Sequence, residues 1–160
     1  MKIPNVRHMC VTATVLTIVT LITSIALMSL LTYYKAQDPV SKTNMSFTLV
    51  DSGFGKTVRL YQIIALVFAV LLLGVHYYHR MGPMVSAGFM MVFAILLLVF
   101  SSLTMGKMQQ VDPNTTGVKD NSERAGIKAM IYISSSMGIL ASFACGIHCL
   151  NYMLMRMKVA

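Results

Sequence analysis

Four histidines (His8, His76, His79, His148) and three cysteines (Cys10, Cys145, Cys149) are the side chains of this 160-residue chain best suited to holding a metal or a haem. His76 and His148 fall inside apolar stretches at comparable depth. Two imidazoles facing each other across a helical bundle can ligate the iron of haem b axially, and only one such pair exists, so at most one buried haem is expected. The plainer reading is that both rings sit near a membrane interface, as Tyr77, Tyr78 and Tyr152 do, each bridging a wet and a dry zone. Cys145 and Cys149 are one helical turn apart and would reach a metal with His148 only if other helices supplied ligands. The Cys-x-x-Cys spacing of a strong site is absent, so no metal centre is expected. Cys10, near the start of the first apolar stretch, is a candidate for S-acylation. Catalysis has little to build on. No carboxylate falls within any apolar stretch, Gln62 and Asn151 are the only amides there, and Gly53-Phe54-Gly55-Lys56 reads as a turn too short to cradle a nucleotide. The chain is therefore expected not to be an enzyme.

The elements that must position these residues are four apolar stretches, about 9–33, 60–78, 84–105 and 129–155. A hydrocarbon core about 30 Å thick takes about 20 helical residues, and none of the four carries an ionised residue in its centre. The predicted fold class is all-α: one integral membrane four-helix bundle over 1–160, with outer loops at about 34–59 and 106–128. His79-Arg80-Met81-Gly82-Pro83 is a tight turn with Pro83 placed to open the next helix, which makes the second and third spans antiparallel neighbours. The first span is too long for a signal-peptide core and ends in Tyr33-Tyr34-Lys35, so it reads as a retained anchor. Hydrophobic residues make up 56% of the chain and charged residues 11%, which excludes a soluble domain. The excess of basic residues, 13 against 5 acids, flanks the spans; its expected partner is lipid headgroups, not nucleic acid.

Charge density next to the spans sets the expected orientation. Lys2, Arg7, Arg80, Arg156 and Lys158 crowd short segments without acids, while the remaining basic residues share the two longer loops with all the acids. Both termini are thus expected on the cytosolic side (N-in, C-in). The candidate glycosylation sequons at Asn44 and Asn114 then fall on the outer side. Plasma membrane or endomembrane is the expected location, with the mitochondrial inner membrane as the alternative. Within the loops, 47–50 alternates like a short strand, and Asn121 or Ser122 is placed to cap the last helix.

In lipid, helices associate through close backbone approach, so small residues mark the contact faces. Gly138, Ser142 and Gly146 make two small-xxx-small steps in the fourth span, widened by Ser134, Ser135, Ala141, Cys145 and Cys149. Thr17, Thr20 and Ser24 continue a seam from Ala13 in the first span, and Ala87, Ala94 and Ser101 repeat every seventh residue in the third. These faces either close one bundle or dock a second protein, and the fourth is wide enough for both. The layout resembles that of small tetraspan families, claudin-like and MARVEL-type, in topology alone: with no Trp and no outer-loop Cys, it lacks the claudin and tetraspanin signatures. The expected function is a non-catalytic tetraspan accessory or structural subunit, whose partners are membrane lipids and other integral membrane proteins or copies of itself. The alternatives are a haem b electron-transfer subunit and a homo-oligomeric channel lined by Thr14, Thr17, Thr20 and Ser24.

Overall fold

The computed structural model describes residues 6–36, 53–77, 82–110 and 121–159, and among them the chain is helical apart from short turns. The sequons at Asn44 and Asn114, the 47–50 segment and His79 lie outside these residues, as does the side chain of His8. Four helices run in chain order: α1 (Val6–Ala36), α2 (Gly53–Tyr77), α3 (Pro83–Met108) and α4 (Asn121–Val159). Each contains a segment long and apolar enough to cross a membrane, with mean hydropathy from 1.6 to 2.5. The protein is an all-α, multi-pass four-helix membrane protein.

Helix packs against sequence neighbour all the way round, and α1 closes the ring on α4. Contacts between helices run in opposite order along their sequences, so successive helices are antiparallel: Ser24 meets Gln62 while Thr14 meets His76. One end of the bundle therefore gathers the start of α1, the end of α4 and the α2–α3 turn, and will be called the short-turn end. The long-connection end lies opposite. Pro83 opens α3 as its spacing predicted, with the Gly82 carbonyl accepting the Ser86 N–H at 3.0 Å.

The buried positions explain why the ring is regular. On α1 they are Ala13, Thr17, Thr20, Ser24, Leu27 and Leu31; on α3 they are Ala87, Met90, Ala94, Leu97, Ser101, Thr104 and Met108. Steps of three and four alternate without a break. That 3.5-residue period keeps one stripe of each helix on the bundle axis through a left-handed supercoil. Val58, Gln62, Ala65, Ala69 and Leu72 do the same for α2, and Ile127, Met130, Ser134, Met137, Ala141, Ala144, His148 and Asn151 for α4. Alanine and serine recur in these stripes because only small side chains let backbones approach closely where lipid offers no hydrophobic drive.

Along the axis the interior alternates in character. Leu27, Leu31, Val58, Met108, Ile127 and Met130 fill the long-connection end. Next come the buried polar residues Ser24, Gln62, Ser101, Thr104 and Ser134, and beyond them a cluster built on Ala65, Ala69, Leu72, Ala94, Leu97 and Ala141. Phe68, Phe93 and Phe100 flank that cluster between α2 and α3, with Phe68 about equidistant from the other two at ring separations of 6.1 Å. The outside is the reverse of a soluble protein. Val11, Val15, Ile22 and Ile25 on α1, Ile63 and Val67 on α2, and Phe143 and Met153 on α4 are all exposed. Their natural solvent is hydrocarbon.

Helix ends differ from the apolar stretches. α2 begins at Gly53, so the Gly53-Phe54-Gly55-Lys56 segment read as a turn is helical. Glycine costs a helix most in its interior, and the first-turn amides lack intrahelical partners whatever residues stand there. α4 is 39 residues long and extends past its apolar run at both ends.

Candidate functional site

The side chains with chemistry gather at the short-turn end. Thr14 on α1 donates its hydroxyl to its own helix, at the Cys10 carbonyl 2.9 Å away, and its oxygen lies 3.1 Å from Nε2 of His76 on α2. A hydroxyl has a single proton. With that proton on the carbonyl, His76 is the donor and its Nε2 carries hydrogen. Across the α1–α4 seam, Asn151 Nδ2 donates to Cys10 Sγ at 3.1 Å. His148, 5% exposed, sits one turn before Asn151. His148 Nε2 and Asn151 Oδ1 are enclosed and have no hydrogen-bond partner among the described residues. The two histidines singled out as a haem pair thus share one end of one interior. They differ in availability, because the His76 nitrogen that would meet iron is turned to Thr14.

Cys145 and Cys149 face each other with sulfurs 3.9 Å apart, and Cys145 packs into the interior cluster against α2 and α3. Among the described residues, no three His, Cys, Asp or Glu side chains come together as a metal site would require. Cys10 is half-buried, its sulfur directed at Asn151 across the seam.

A second polar site lies mid-bundle and was not legible as a site in the sequence. Gln62 Nε2 donates to the Ser24 carbonyl at 3.0 Å and to Ser24 Oγ at 2.6 Å, and it approaches Met137 Sδ at 3.4 Å, so one amide ties α2 to α1 and touches α4. Gln62 Oε1 and Ser101 Oγ are enclosed without a hydrogen-bond partner among the described residues. The tilted pair of Tyr61 and Phe100 rings, 6.1 Å apart, puts Ser101 at about the same height as Gln62. The sequence shows an amide in a span and a serine in a seam, but nothing in their spacing pairs the two, and one of the two bonds goes to a backbone carbonyl that carries no side-chain signal.

The threonine seam of α1 also resolves. Thr17 and Thr20 are buried and donate to the carbonyls of Ala13 and Leu16 in their own helix. Thr17, Thr20 and Ser24 all face the interior of the single bundle, so this face is already packed inside the protomer. The small face of α4 divides. A Cβ placed on Gly138 would meet Met105 Sδ of α3 at 3.0 Å, which makes Gly138 an internal contact. Ser142 and Gly146 look outward, and no atom of the bundle lies within 4 Å of a Cβ placed on Gly146.

These features define a class, the tetraspan membrane bundle with a polar-studded interior and an apolar exterior. No family model, curated protein or solved structure matches the chain.

Proposed function

We propose that the protein is a non-catalytic accessory or structural subunit that assembles laterally in the membrane with partner integral membrane proteins or with copies of itself. The observation that carries this reading is the outward patch of α4 at Ser142 and Gly146, bordered by exposed Ile139, Phe143 and Leu150. Small residues exposed between large ones form a groove into which a neighbouring helix fits, and van der Waals contact there is what drives association in lipid. The charge distribution favours both termini in the cytosol, with Asn44 and Asn114 available for glycosylation in a plasma-membrane or endomembrane setting.

Mass determination of the gently extracted native particle tests this. A complex larger than one protomer that shrinks in Gly146→Leu supports the proposal, and a lone protomer in both forms overturns it. One observation favours a second reading, a haem b subunit: the enclosed and partnerless Nε2 of His148. The visible spectrum of the same preparation decides it. A Soret band lost in His148→Leu supports haem, and its absence from the wild type removes the idea.

A further inference from the structure

At the short-turn end, a shallow groove of about 310 Å³ lies on the outer face of the bundle between α3 and α4. Val85, Gly88, Phe89 and Val92 form one wall along α3, and Tyr152 of α4 forms the other. Gly88 makes the space: a Cβ there would already lie 3.7 Å from the Tyr152 ring. The volume is at the small end for ligand sites and the lining is almost wholly apolar, which suits an alkyl chain and not a polar metabolite. The groove runs to the first turn of α3, where the amides of Met84 and Val85 have no carbonyl within their own helix to bond. Exposed Arg156 follows Tyr152 by one turn on the same face of α4.

Charge says what kind of chain belongs there. In the sequence, all five acids of the protein, Asp38, Asp51, Asp112, Asp120 and Glu123, fall between the first and second or between the third and fourth apolar stretches. Lys2, Arg7, Arg80, Arg156 and Lys158 fall before the first, between the second and third, and at the end of the fourth, with no acid among them, and of these Arg156 is exposed beside the groove. An alkyl chain with a neutral head would fill the groove and ignore that field.

We propose that the groove binds one acyl chain of an anionic glycerophospholipid, with Arg156 meeting the headgroup phosphate and the Tyr152 ring closing over the chain at headgroup level. Tyrosine suits that position because its ring packs on hydrocarbon while its hydroxyl stays wet. The site is independent of the Ser142–Gly146 patch, which lies further along α4.

The test is native mass spectrometry of the whole protein extracted from vesicles of equal parts phosphatidylserine and phosphatidylcholine. The wild type is expected to retain one phospholipid, predominantly phosphatidylserine. Arg156→Gln, an exposed change that leaves the bundle intact, should keep the adduct but lower its phosphatidylserine preference about fivefold. Gly88→Leu fills the groove and should lose the adduct, with circular dichroism confirming that the helices persist. The proposal is overturned by any of three results: retention in the proportions of the vesicle, a preference unmoved by Arg156→Gln, or a second copy of the chain on this face in place of lipid.

Discussion

Gln62 shows what a single polar side chain does inside this bundle. Fully buried, it supplies two hydrogen bonds to Ser24 yet leaves its own oxygen unpaired. Interhelical hydrogen bonds in membrane proteins are worth about 0.6 kcal/mol on average, and an enclosed unpaired acceptor costs about 1–3 kcal/mol. The two nearly cancel. Gln62→Met, which keeps the volume and removes both the bonds and the orphan oxygen, should therefore shift unfolding in detergent by no more than about 1 kcal/mol. Gln62→Ala should cost about 2–4 kcal/mol, because it adds a cavity that four packed helices cannot collapse into. Equal losses in the two variants would show that the hydrogen bonds, not the packing, dominate. Gln62 and Asn151 stand out in the sequence as the amides within spans, and so do His76 and His148. Which residue each one meets does not. Ser24, Thr14 and Cys10 are chosen by the relative height of helices 38 to 141 residues apart in sequence, which composition and period leave undetermined.

For the helices, the heptad stripes are the organising fact, and they were unequally legible. Ala87, Ala94 and Ser101 repeat every seventh residue, so the inward face of α3 reads directly from the chain, as does the α1 seam from Ala13 to Ser24. α4 misleads because small residues stand on both of its sides, and a small-residue step does not say whether the neighbour is a helix of the same chain. The structure separates the two, and a pair of substitutions makes the separation measurable. Gly138→Leu drives a side chain into Met105 and should destabilise the protomer by about 1–3 kcal/mol. Gly146→Leu enters open space and should change protomer stability by less than about 0.5 kcal/mol, its effect falling on complex size alone. Thermal unfolding of both variants in the same detergent checks this, and comparable destabilisation by the two would place Gly146 in the interior. Helix ends were the least legible feature. Charged residues such as Lys56, Arg59 and Lys128 interrupt hydropathy without interrupting helix: Arg59 donates its guanidinium to the Leu31 carbonyl at 3.2 Å, while exposed Lys56 and Lys128 can lay their stems along the apolar surface with their heads in water.

The molecule as a whole turns an apolar coat outward and holds its polar groups on the axis, so its class was legible from hydropathy alone and its function was not. Alkaline carbonate washing should leave the protein in the membrane pellet, and recovery in the supernatant would contradict the exterior described above. The lengths of the rods carry one more consequence. Counted with their charged ends, the candidate spans contain 24, 22, 26 and 34 residues, about 36, 33, 39 and 51 Å at 1.5 Å each, against about 30 Å for an average hydrocarbon core. Between its charged residues the second stretch, 60–78, matches that core, the fourth, 129–155, exceeds it at about 40 Å, and helices locked together in a ring cannot each tilt to suit themselves. The mismatch falls on the surrounding lipid, which must stretch to cover them. Reconstituted in phosphatidylcholines of increasing acyl length, the protein should melt at progressively higher temperature. A maximum in the shortest lipid would mean that the ring leans as one body.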